Sequence, residues 1–201
     1  MEGFDPAELK PFRCIEATIQ GRSLIIARTG YTGEDGVEVM PAAEDAPWLW
    51  DLLIQRGTTP CGLGARDILR LEAGLLLHGS DMDASVDPIE AGLDRFVASK
   101  GDFSGAAAIQ RVRANGPKRQ LVAFRTTAKG ALPRAHSPLL VGDESAGEVT
   151  SGGYSPTLDS NIGLGYVPVR FASPGARLKV DVRGNLVDAL VVSRPFYSRP
   201  R

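Results

Sequence analysis

Residues 15–38 read IEATIQGRSLIIARTGYTGEDGVE, and their reading sets the fold of the first half. IEATI and LIIAR are rich in β-branched residues, and QGRS between them supplies a glycine for a turn, so residues 15–28 are expected to form a β-hairpin. Val37 to Met40 alternates and is expected to be a further strand. RTGYTGEDGVE, residues 28–38, carries more glycine than packing alone explains. Working outward, residues 44–55 place Trp48, Leu49, Leu52 and Leu53 at helical spacing, with Gly57 just past the end. LGARDILRLEAGLLLHGSDMD follows at residues 63–83. Its first part is expected to be a helix from Leu63 to Leu77, with Ile68, Leu71 and Leu75 as the apolar stripe and Arg66 and Arg70 on another face. Three strands and two helices define an α+β layer.

HGSDMDASVDP is a polar loop, and residues 104–115 read as a connecting helix stopped by Gly116-Pro117. From Arg119 the texture changes. Short β-rich runs (LVAF, PLLV, GEVT, GLGYVPV, RLKVDV, LVDALVV) are broken by Gly, Pro, Asp and Ser about every ten residues. That pattern belongs to a small antiparallel barrel or sandwich.

Bulk properties narrow the class. The chain has 201 residues, is 43% hydrophobic and carries a net charge of −1, so no general attraction to nucleic acid or an anionic membrane is implied. Residues 1–120 hold 13 Lys/Arg against 18 Asp/Glu, and residues 121–201 hold 10 against 6, a split compatible with two modules. No apolar run is long enough to span a membrane. The acidic start MEGFDPAELKPF lacks the apolar core of a signal peptide. Cys14 and Cys61 have no metal-like spacing and are expected to be small buried thiols. Together these features describe a cytoplasmic protein of prokaryotic style.

Two side chains stand out as ligand-gripping groups. Glu38 sits at a strand on the face opposite Val37 and Val39, and an ionised carboxylate can accept two adjacent N–H donors. The alternative is a solvent-facing strand acid. Arg66, twenty-eight positions on, lies near a helix start, where its planar fork can grip a carboxylate; the alternative is a structural ion pair. An acid and a distant guanidinium suit a ligand with an amino-pyrimidine ring at one end and a carboxylate at the other. Gly30-Tyr31-Thr32-Gly33 could admit a planar ligand against Tyr31, or be a plain turn. Asp81 and Asp83 are too few for a metal shell and are expected to cap and pair within their loop. Arg70 and His136 are expected to be structural. Ser151-Gly152-Gly153-Tyr154 lacks the spacing of a phosphate-binding loop.

RTGYTGEDGVE and LGARDILRLEAGLLLHGSDMD together resemble the aminomethyltransferase (T-protein) family of the glycine cleavage system. The resemblance continues through PRAHSPLL and TSGGYSPTLDSNIGLGYVP to near the C-terminus, and corresponds to the C-terminal half of such proteins. It implies a partial ferredoxin-like α/β layer followed by a small antiparallel β-barrel domain. The implied division is a folate-binding part over residues 1–97, a helical connector over 98–118 and a barrel over 119–201.

The resemblance further implies tetrahydrofolate as co-substrate, with Glu38 on the pterin and Arg66 on the folate carboxylate. Tyr31 and Tyr197 are implied at the cofactor site, although SRPFYSRPR departs from the family's commoner Tyr-Tyr ending. The implied partner is the lipoylated H protein. The family's catalytic Asp maps to no residue here and is expected in an N-terminal half, so the sequence is expected to be a fragment, one chain of a split pair or a degenerate binder. The first 97 residues are then expected to expose apolar surface. A non-catalytic folate-binding module and a folate-dependent demethylase of the same family remain as alternatives.

Overall fold

The computed structural model describes residues 8–128 and 130–199. They fall into two compact units, one running to Leu69 and including Arg199, the other covering Arg70–Ser198.

The first unit is built on a three-stranded antiparallel sheet in the order β1-β2-β3. β1 is Cys14–Ile19, β2 is Arg22–Ala27 and β3 is Glu38–Pro41. Gln20 and Gly21 join β1 to β2 with φ of 50° and 79°, the paired positive values that a tight hairpin turn needs. Alternation then sorts the faces. Ile15, Ala17, Ile19, Leu24, Ile26 and Val39 pack inward with Leu9, while Ile25, Glu38 and Met40 point to the exposed face.

A short 3-10 turn (Ala43–Asp45) leads into α1, Ala46–Gln55. The helix starts two residues later than its hydrophobic spacing suggests, with proline in its first turn, where a missing N–H costs nothing. Gly57, at φ 86°, closes its end as Thr58 N–H donates to Leu53 O at 3.0 Å and Gly57 N–H to Ile54 O at 2.9 Å. α1 is tied to the hairpin through Arg22, which pairs with Asp45 and lies 4.8 Å from the Trp48 ring centroid.

α2 runs Leu63–Glu72, five residues short of the expected Leu77. The reason is Gly74. At φ 68° it adopts the left-handed cap, with Gly74 N–H donating to Leu71 O and Leu75 N–H to Arg70 O, both at 2.9 Å. Leu75 therefore lies beyond the helix. Arg70, expected on a face beside Arg66, is buried.

The second unit holds α3, Ala106–Asn115, and a closed six-stranded barrel. The strands are β4 (Arg119–Thr126), β5 (Pro138–Val141), β6 (Glu144–Ser155), β7 (Ser160–Pro168), β8 (Arg177–Val182) and β9 (Asn185–Val192). Their order is β4-β7-β6-β5-β8-β9, closed by β9 pairing with β4. All pairs are antiparallel, and closure leaves no free sheet edge. Phe124, Leu139, Val149 and Val180, each fully buried, fill the interior. A second cluster, Leu121, Ala123, Ile162, Leu164 and Tyr166, packs against Leu71, Leu76, Val86 and Phe196.

Candidate functional site

The loop between β2 and β3, residues 28–37, is held by its own side chains. Arg28 forks onto Asp35, with Nε donating to Oδ1 at 3.0 Å and Nη2 to Oδ2 at 2.7 Å. Arg28 Nη1 also donates to Leu9 O at 2.7 Å, which anchors the loop to the sheet's core segment. Arg199 Nη1 lies 3.8 Å from the same Asp35 carboxylate. The hydrogen bonds from Arg28 hold the Asp35 carboxyl below its ordinary value of 3.8, with the charges of Arg28 and Arg199 adding to the effect. Thr32 Oγ1 accepts from Glu34 N–H at 3.3 Å inside the turn.

Both ligand-gripping groups expected from the sequence meet this loop. Glu38, exposed at the start of β3, has its Oε2 hydrogen-bonded by the Thr29 hydroxyl. Arg66, exposed in the first turns of α2, lies with its guanidinium carbon 5.0 Å from the Tyr31 ring centroid, a cation–π contact. Neither Glu38 nor Arg66 takes part in an ion pair among the described residues. Glu38, Tyr31 and Arg66 belong to the first unit; Tyr197 belongs to the second. There, half-buried, Tyr197 donates its N–H to Glu72 O at 3.0 Å and so satisfies an end-of-helix carbonyl of α2.

The remaining candidates are structural. Arg70 donates from Nη1 to Asp81 Oδ2 at 2.7 Å and from Nη2 to Ser151 Oγ at 2.9 Å. Asp81 also accepts Thr150 Oγ1 at 2.5 Å and Leu77 N–H at 2.9 Å, while its backbone carbonyl accepts the Tyr166 hydroxyl at 2.8 Å. Burial pushes the Tyr166 phenol up to about 12. Glu72 accepts Ser155 Oγ at 2.5 Å and Thr157 Oγ1 at 2.9 Å. Among the described residues no buried side-chain N or O atom lacks a partner.

Asp83 accepts Ser85 N–H at 2.8 Å, the loop capping expected of it. Ser151 serves Arg70 rather than a phosphate, and a Cβ on Gly152 would sit 2.5 Å from Pro133 O. His136 is exposed, with its Nδ1 3.4 Å from a Glu148 oxygen. Cys14 and Cys61 are exposed thiols, not the buried ones expected. Cys14 opens β1 on the sheet's exposed face, and Cys61 lies in the loop before α2.

A cleft of about 700 Å³ lies in the barrel unit, lined by Arg134, His136, Asp181 and Arg183 among others. It contains neither of the ligand-gripping groups expected from the sequence, Glu38 and Arg66, and Asp181 is occupied as an acceptor for Gly184 N–H at 2.7 Å. What the sequence did not disclose is Thr29. No spacing rule singles it out, because its role arises only when β2 and β3 pair and bring Ala27 opposite Glu38.

A small sheet-and-helix unit followed by a closed antiparallel barrel, with an exposed acid and an exposed guanidinium meeting one glycine-rich loop, defines a two-part α+β fold. Two family descriptions match it: the GCVT N-terminal domain over residues 2–101 and the glycine cleavage T-protein C-terminal barrel domain over residues 119–198. The chain belongs to the glycine cleavage T-protein family.

The aminomethyltransferase of Thermosynechococcus vestitus is 50% identical over 195 residues, covering 96% of this chain and 53% of that protein. That of Synechococcus sp. strain WH7803 is 46% identical over 204 residues, covering 100% of this chain and 55% of that protein. The crystal structure of glycine cleavage system aminomethyltransferase T from Bartonella henselae superposes with a TM-score of 0.88 at 35% identity, covering 97% of this chain and 55% of that one. The chain thus spans about half the length of the curated relatives it matches. No helix among the described residues is long and apolar enough to cross a membrane.

Proposed function

We propose that this chain carries the folate-gripping part of a glycine cleavage aminomethyltransferase. In that reaction the methylene of an aminomethyl group on the lipoyl arm of the H protein passes to tetrahydrofolate, and ammonia is released. The observation that carries this reading is that one loop touches both candidate ligand groups: Thr29 meets Glu38, and Tyr31 meets Arg66.

The donor set fits the co-substrate. A pterin presents a ring N3–H and a 2-amino group side by side, and the Glu38 carboxylate can accept both. The glutamate end of folate carries carboxylates, which the Arg66 fork can hold. Tyr31 and Tyr197 are each proposed as cofactor-binding residues. Holding nucleophile and electrophile in one place would supply much of the rate enhancement.

We take residues 1–97 as the folate-binding part, 98–118 as connector and 119–201 as barrel, a division supported by the matched segments. The H protein is the proposed partner, and the cytoplasm the proposed compartment. No residue of this chain is assigned the catalytic carboxylate, and turnover is proposed to need the front half that the matched relatives carry. Phe12, Trp50 and Leu63, exposed by 87%, 58% and 79%, are apolar surface that the front half would cover.

Titration with tetrahydrofolate tests the reading. Glu38→Gln and Arg66→Ala should each weaken binding roughly ten- to a hundredfold, or about 1.5–3 kcal/mol for a charged contact. If both variants bind as well as the parent, the assignment fails. Adding the front half of a relative in trans should restore ammonia release from the aminomethylated H protein. Folate binding without any turnover under those conditions would favour the non-catalytic module instead.

A further inference from the structure

Glu38 begins β3 directly after a turn-rich loop, where a short strand of four residues leaves its side chain little packing to fix a rotamer. Its Oε2 is nevertheless hydrogen-bonded by the Thr29 hydroxyl, from a residue two places past the Ala27 that pairs with Glu38 across the sheet. Thr29 itself is half-buried. On its N-terminal side Arg28 is fixed at both ends, by Leu9 O and by the Asp35 carboxylate, and Arg199 approaches that carboxylate from the C-terminal segment.

We propose that Thr29 is a positioning residue for the pterin end of the ligand: its hydroxyl sets the plane of the Glu38 carboxylate so that both oxygens face the paired N–H donors. This rests on the assignment of Glu38 to the pterin. A hydroxyl has one proton to give, and Thr29 gives it to Oε2. Each carboxylate oxygen has two lone-pair directions, so Oε2 keeps one for a ligand donor and Oε1 keeps both. A ligand that binds through two parallel N–H···O bonds is sensitive to the rotation of the carboxylate plane, which this hydroxyl restrains. The Arg28–Asp35 fork holds the loop that carries Thr29, so the order of dependence runs from Asp35 through Arg28 and Thr29 to Glu38.

The experiment compares two ligands on three variants. Tetrahydrofolate reports on both ends of the site; p-aminobenzoylglutamate, which lacks the pterin, reports on the Arg66 end. Thr29→Val keeps the shape and β-branching and removes the hydroxyl. It should weaken tetrahydrofolate about five- to tenfold and leave p-aminobenzoylglutamate unchanged. Thr29→Ser should return tetrahydrofolate affinity to within about twofold of the parent. Loss of both ligands in Thr29→Val, or a failure of Thr29→Ser to restore binding, would assign Thr29 a merely structural part and overturn the proposal. Parent-like binding by Thr29→Val while Glu38→Gln binds weakly would also overturn it, leaving the pterin assignment intact. Parent-like binding by Glu38→Gln would remove the pterin assignment itself.

Discussion

Two arginine–aspartate pairs in this chain have the same 2.7 Å contact and opposite surroundings. Arg28 and Asp35 keep 20% and 43% of their side-chain surface exposed, whereas Arg70 and Asp81 keep 2% and 0%. The buried pair is saturated. Ser151, Thr150, Leu77 N–H and Leu75 O complete its hydrogen bonds, as charges taken out of water require. The exposed pair instead braces a loop whose neighbours, Glu38 and Arg66, remain open to solvent. The same chemistry therefore anchors a buried contact in one place and braces an exposed loop in the other. Where polar groups are all consumed internally there is nothing to offer a ligand.

The largest effect expected from this contrast is at the buried pair. Asp81→Ala strands the Arg70 guanidinium in a site built for a counter-charge and should cost about 3–5 kcal/mol of barrel-unit stability, read as a lowered denaturant midpoint. Asp35→Ala should leave that midpoint in place. Equal losses in the two variants would break the comparison. Next comes Tyr166, whose hydroxyl donates to Asp81 O. Tyr166→Phe should cost about 0.5–1.5 kcal/mol. Its pH dependence has a definite sign. Folding favours the neutral phenol, so this contribution is whole below the ordinary value of 10.0 and is lost as pH rises toward about 12. Alkaline melts of parent and Tyr166→Phe should converge across that window.

Much of this was legible in the sequence, and the failures are instructive. The hairpin, α1, α3 and six barrel strands follow from period and turn residues, because each lies in a segment whose local preference agrees with its packing. The end of α2 is hidden in the sequence because Leu75, Leu76 and Leu77 continue an apolar run. One left-handed glycine at 74 outweighs them. The burial of Arg70 was invisible because its partners Asp81 and Ser151 lie 11 and 81 positions away. Composition suggested buried cysteines, but a sheet with one exposed face sends the residue at Cys14 outward. Glu38 and Arg66 stand out in the sequence as a strand acid and a guanidinium near a helix start, and only the folded structure brings both against the β2–β3 loop. Thr29 does not stand out, since hydroxyls are common in loops and only the β2–β3 register gives this one its partner.

Glu38 and Arg66 sharpen the comparison from the other side. Both are exposed, so Glu38→Gln and Arg66→Ala should each change stability by no more than about 0.5 kcal/mol while tetrahydrofolate binding falls. A larger loss of stability in either would show that the residue anchors the unit rather than presenting itself to a ligand.

The smallest effect is at Asp35. Exposed ion pairs contribute little at neutral pH, so a thermal melt of Asp35→Asn should overlay that of the parent there. The titration is the better probe. With Arg28 donating to both carboxylate oxygens, folding favours the ionised form. The stabilisation is then complete above 3.8 and declines as pH falls below that, through the lowered folded-state value. Carboxylate NMR should give an Asp35 midpoint under 3.8, and Arg28→Leu should raise it. An Asp35 midpoint that ignores Arg28→Leu would mean the fork is absent in solution. The loop would then lose its brace, and the distinction between a buried anchor and an exposed brace would rest on Arg70 and Asp81 alone.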